Sequence, residues 1–75
     1  MSNDPTLARP SDVAELSTLG SQLDDIARRV EALAGRYRNT PDSAVAASLD
    51  AAERSIVAVR RSLTRAADDL GPGST

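Results

Sequence analysis

Two unbroken heptad ladders with one short gap between them constrain this chain more than any other feature. The first is Leu16, Leu19, Leu23, Ile26, Val30, Leu33 and Tyr37; the second is Val45, Leu49, Ala52, Ile56, Val59, Leu63, Ala66 and Leu70. Apolar residues at alternating steps of three and four draw one seam along a helix, and such a seam must be buried against another helix. The predicted fold class is therefore all-α: an antiparallel, coiled-coil-like two-helix hairpin that dimerises into a four-helix bundle. Residues 1–10 are predicted to be a disordered tail, residues 11–71 the hairpin, and residues 72–75 a second disordered tail.

The turn chemistry supports that division. Ser11 or Asp12 caps the first helix, and Asp12 with Glu15 has the spacing of a capping box. This helix is expected over about 12–38. Asn39 can take the left-handed conformation that ends a helix. Thr40 is a good N-cap, and Pro41 suits the first helical position, where a missing N–H costs nothing. The second helix is expected over about 41–70 and is stopped by Gly71-Pro72-Gly73. At ~1.5 Å per residue each helix is about 40 Å long.

So short a connection makes the helices antiparallel neighbours, pairing residues whose numbers sum to roughly 79. Val30 then faces Leu49, Leu23 faces Ile56, and Leu16 faces Leu63. The same register brings Arg28 and Arg29 near Asp50 and Glu53. It also sets Arg60, Arg61 and Arg65 level with Glu15 and Asp12, and Asp68 and Asp69 near Arg9. Tyr37, the single aromatic residue, is expected to cap the seam beside the turn.

Small residues form a further pattern. Ala44, Ser48, Ala51, Ser55, Ala58 and Ser62 run beside the second seam, while Gly20, Ala27 and Ala34 recur every seventh residue beside the first. Small side chains let helices approach toward the short end of the ~8–10 Å interaxial range. The stripe from Ala44 to Ser62 is thus expected to be the oligomer interface, with Val57 as a candidate neighbour. Size argues the same way, because a chain of 75 residues buries too little surface for a generous core. Full burial of a seam side chain is worth ~1.5–3 kcal/mol, and dimerisation is the simplest route to it.

Composition narrows the chemistry. The chain has no Cys, His, Trp or Phe, which removes thiolates, the commonest general base and the usual base-stacking residues. Nine Arg against eleven acidic residues is nearly neutral, which argues against a dedicated nucleic-acid binder. Asp24-Asp25 and Asp68-Asp69 are sequence neighbours that point about 100° apart on a helix, so neither pair forms a carboxylate dyad. Ser48, Ser55 and Ser62 lack a base. The expectation is a non-enzymatic protein without metal or cofactor. The first ten residues lack the basic start and apolar core of a secretory signal. No apolar run approaches the ~20 residues of a membrane span, so a cytoplasmic location is expected.

The function expected is that of a small interaction module, an adaptor, regulator or assembly factor, whose partners are a second copy of itself and another protein. One alternative is a regulator that binds a ligand or nucleic acid through Arg54, Arg60, Arg61 and Arg65, since guanidinium forks match phosphate oxygens. Two resemblances in shape bear on function. The hairpin is similar to small type VII secretion substrates, which would imply a secreted role, but Tyr37-Arg38-Asn39 stands where their Trp-x-Gly turn belongs. It also resembles the cyclic-di-GMP-binding anti-sigma hairpin. Ser62-x2-Arg65 matches that pattern, whereas Ala58 and Asp69 replace its Glu and Gln. Shape alone does not transfer function.

Overall fold

In a computed structural model that describes the backbone of residues 5–70 and the side chains of residues 10–70, the chain is two helices packed against each other. Helix α1 spans Pro5–Tyr37 and helix α2 spans Ser43–Leu70. The expected stop at Gly71, the tail from 72 to 75, the pairing of Arg9 with Asp68 and Asp69, and the first four residues lie outside what is described.

The first helix starts earlier than its capping signals suggest. It begins at Pro5 rather than Ser11 or Asp12 and runs through Pro10, so residues 5–10 belong to the hairpin instead of a disordered tail. Pro5 takes the first position, where proline is tolerated, and Leu7, Ala8 and Arg9 are good helix formers. Pro10 removes one backbone donor from the second turn without ending the helix. Asp12 and Glu15 consequently sit in mid-helix and do not act as a capping box.

The turn follows the local chemistry closely. Arg38 N–H closes the last turn of α1 on the Ala34 carbonyl at 3.2 Å. Asn39 then adopts φ 60°, a left-handed value that Asn accepts more readily than other L-residues. The Thr40 hydroxyl donates to the Tyr37 carbonyl at 2.6 Å and accepts from the Asp42 N–H at 3.2 Å. One side chain therefore satisfies an orphan acceptor of α1 and a backbone donor in the turn that leads into α2. Regular α2 begins at Ser43, two residues beyond Pro41, with Thr40 carbonyl accepting from Ser43 N–H at 3.1 Å.

The seam is rotated from the one the ladders suggest. On α1 the less exposed residues are Val13, Leu16, Gly20, Leu23, Ala27, Val30, Ala34 and Tyr37; on α2 they include Ala46, Leu49, Glu53, Ile56, Arg60, Leu63, Ala67 and Leu70. Leu16, Leu23, Val30, Leu49, Ile56 and Leu63 thus lie in the seam as expected. Leu19, Ile26, Leu33 and Val59, also expected there, lie outside it and are 37%, 43%, 39% and 48% exposed. Val45 joins them at 42%. The flank of α1 that turns inward is instead the small row Gly20, Ala27 and Ala34, where Ala34 is buried and Gly20 is covered by the Arg60 guanidinium. Leu16, Gly20, Leu63 and Ala67 line one groove, so the expected level of Leu16 with Leu63 holds.

The core is thin. Among the described residues only Gly20, Ala34 and Ala46 are buried, and no large side chain is fully buried. The molecule measures 57 × 24 × 15 Å, with a radius of gyration of 17.2 Å, against ~11 Å for a compact domain of this length.

Two glycines offer a direct check on helix packing. A Cβ on Gly20 would meet the Arg60 guanidinium carbon at 3.6 Å, an ordinary contact, and one on Gly35 would meet nothing within 4 Å. Gly20→Ala and Gly35→Ala should each stabilise the fold by ~0.5–1 kcal/mol in thermal or urea melts. A destabilising Gly20→Ala would show that the helices pack closer there than the structure has them. Asn39→Val should lower stability by about 1–2 kcal/mol, because a β-branched residue resists positive φ.

Candidate functional site

Helix geometry assigns each row of side chains to a face. Leu16, Leu23, Val30 and Tyr37 on α1, with Leu49, Ile56, Leu63 and Leu70 on α2, form the line along which the helices meet. Four residues onward the helix has turned ~40° one way, and three residues onward ~60° the other. Because the helices run antiparallel, the same step lands on the same face of the hairpin from either helix.

The four-step face is polar and cross-linked. It carries Gly20, Ala27 and Ala34 from α1 and Ala46, Glu53, Arg60 and Ala67 from α2. Arg60 forks onto Asp24, Nε to Oδ1 at 2.5 Å and Nη2 to Oδ2 at 3.0 Å, and its Nη1 reaches Thr64 Oγ1 at 3.2 Å. Arg38 forks onto Asp50 at 2.8 and 3.0 Å. These bidentate pairs join the helices at two levels. The hydrogen bond from Arg60 is the main cause holding the Asp24 carboxyl below its usual range, and Arg38 does the same for Asp50. Each arginine is in turn held protonated more firmly by its carboxylate.

The ion pairs expected from register alone are not the ones formed. Arg28 and Arg29 pair with Asp25 on their own helix at 3.5 and 3.8 Å and leave Asp50 to Arg38. Arg60 takes Asp24 rather than Glu15 or Asp12. Sharing a level is not sufficient: Arg28 and Arg29 project from sides of α1 that do not face Asp50.

The three-step face is the candidate site. It carries Leu19, Ile26 and Leu33 from α1 and Val45, Ala52, Val59 and Ala66 from α2. Among the described residues, Leu19, Ile26, Leu33, Val45 and Val59 account for five of the six large aliphatic side chains that are exposed. Scattered exposed aliphatics are ordinary, whereas a contiguous apolar strip marks an interaction surface. Val57, the sixth, is 43% exposed and lies on the other side, in a groove with Ile56, Arg60 and Arg61.

The small-residue stripe borders this face. Ser48, Ser55 and Ser62 form its rim on α2, and Ala44, Ala51 and Ala58 lie further round; all six are exposed. The Ser55 hydroxyl donates to the Ala51 carbonyl at 3.3 Å, so this serine can be covered without stranding a donor. The arginine row is partly gathered: Arg60, Arg61 and Arg65 line one groove with Asp24, Ile56 and Val57, and Arg54 and Arg61 line another with Asp50 and Glu53. Within it Arg60 is committed to Asp24, and Arg65 contacts Ser62 Oγ at 3.5 Å. Among the described residues no three acidic side chains converge as metal ligands would, and no helix is long and apolar enough to cross a membrane.

The sequence signal for the apolar face was present in the ladders themselves. Leu19, Ile26 and Leu33 recur every seventh residue, as do Gly20, Ala27 and Ala34 on the other flank. Compared with known proteins, the chain matches no family model, no curated protein and no solved structure.

Acid should loosen the hairpin through its two carboxylates. Both carboxyls are held below their ordinary value by the arginine hydrogen bonds, so the stability they contribute is present above the ordinary carboxylate range. It is lost as pH falls through the lower folded values. Circular dichroism should show helicity steady at neutral pH and declining below about pH 4. Asp24→Asn should reduce stability at pH 7 and lessen the remaining acid dependence; an unchanged acid profile would mean the Asp24–Arg60 pair does not form in solution.

Proposed function

We propose that this protein is a non-enzymatic helical-hairpin interaction module, an adaptor, regulator or assembly factor that works by self-association and by docking a partner protein on its apolar face. The observation that carries this reading is the strip of Leu19, Ile26, Leu33, Val45 and Val59, exposed together on one face of a hairpin in which no large side chain is fully buried among the described residues. Leaving so much hydrocarbon in water is unfavourable, at ~25 cal/mol per Å². Covering it against another helical surface is how coiled-coil hairpins gain affinity. The polar face is already occupied by its own ion pairs, which leaves the apolar face as the side available for a partner. The absence of His and Cys leaves little for catalysis, and the pairing of Arg60 with Asp24 takes one guanidinium out of the row that an oxyanion would use.

Replacing Ile26 tests this reading, since it sits at the middle of the apolar strip and outside the hairpin seam. Ile26→Asp should keep the monomer helical by circular dichroism yet abolish co-purification of partners from native cells. Equal recovery of the same partners by wild type and variant would refute a role for this face. Ala51→Arg or Ala58→Arg should lower assembly mass in light scattering if the small stripe borders the contact. An unchanged mass would place that stripe outside it.

A further inference from the structure

We infer that the occupant of the apolar face is a second copy of this chain, turned end over end so that the two hairpin turns lie at opposite ends of a four-helix bundle. The inference rests on the interaction reading above and adds the partner and its orientation. Three observations point there.

The first is size. A specific interface takes ~800 Å² from each partner, and a 57 × 24 Å broad face supplies that area from one copy without any further element. The second is the symmetry of the strip. Leu19 and Leu33 lie seven residues either side of Ile26, so turning a copy about Ile26 places Leu19 over Leu33 of the second copy and Ile26 over its own equivalent. A two-fold contact requires such self-complementarity. The same turn lays α2 over α2 near the level of Glu53, where Ala52 and Ser55 permit close approach.

The third is charge on the rim. On the edge of the face, α1 carries Glu15 toward the open end and Arg29 and Arg36 toward the turn, all exposed. End-over-end pairing sets Glu15 opposite Arg36 of the second copy, since each lies about three helical turns from Ile26. The other two-fold arrangement, with both turns at one end, lays α1 over α2. It brings Glu15 between Ser62 and Asp69 and leaves Arg29 and Arg36 beside Ser48, with no acidic residue in that row opposite them. Opposite charges at a rim steer association and set orientation, and like charges oppose it. Within one chain, Glu15 and Arg36 are 21 residues apart on a single helix, roughly 30 Å, so only another copy can join them.

The test uses the full chain, which has no cysteine of its own. Sedimentation of wild type at ~100 µM should give twice the monomer mass, in the range where weak but specific dimers form. Ile26→Cys should form a disulfide-linked dimer on mild oxidation, while Val57→Cys, on the opposite side, should not. Glu15→Arg should raise the dimer dissociation constant about tenfold, and adding Arg36→Glu should restore it to within about twofold, as expected of a charge pair across an interface. A dimer that shows both the Ile26→Cys link and the charge-swap rescue supports the arrangement. A dimer lacking either overturns it. A wild-type monomer at that concentration overturns the second copy as occupant. Loss of partners from Ile26→Asp in the co-purification experiment would then still stand for the interaction reading, so the two failures are distinguishable.

Discussion

Two helices can share only one line of contact, and every other feature of this hairpin depends on which side chains flank that line. The central rows, Leu16 to Tyr37 and Leu49 to Leu70, would meet in any antiparallel pairing of the two ladders. Beside them each helix offers a choice. One flank of α1 is small, with Gly20, Ala27 and Ala34, and the other is large, with Leu19, Ile26 and Leu33. The hairpin turns inward on the small flank. Close backbones then leave room for Arg60 and Glu53 to lie along the edge of the seam, and the only described ion pairs between helices form there.

This choice divides the molecule by chemistry. On one face the hairpin is cross-linked to itself, through Arg60 with Asp24 and Arg38 with Asp50. Those pairs are half-exposed and salt-screened, so they orient the helices more than they hold them. On the opposite face the largest aliphatic side chains remain in contact with water. Packing the large rows inward would have given the monomer a better core. Packing them outward leaves an apolar surface exposed, and that exposure is the basis of the proposal that this chain is an interaction module.

The turn connects these levels. Thr40 bridges the two helix ends, and Asn39 accepts the left-handed backbone that sends α2 back along α1. Its geometry sets the direction of α2 and the rotation with which it meets α1. The ion pairs then agree with that rotation. Arg38, the first residue after α1, reaches down to Asp50 and ties the turn to α2. Local turn chemistry and the long-range pairing therefore support the same arrangement rather than competing.

Much of this was readable from residues in order. The period of the ladders determined two helices, and Asn39, Thr40 and Pro41 located the break, because capping and turn preferences are properties of short segments. The start of α1 is not legible in the same way, since Asp12 and Glu15 look like a cap although Pro5 already opens the helix. Nor are the paired charges, because register supplies the level of a side chain but not the side from which it projects. Above all, a 3.5-residue period is equally compatible with either flank facing inward. Only the three-dimensional meeting of two handed helices, with Gly20, Ala27 and Ala34 turned inward on one side, decided that Leu19, Ile26, Leu33 and Val59 would face out.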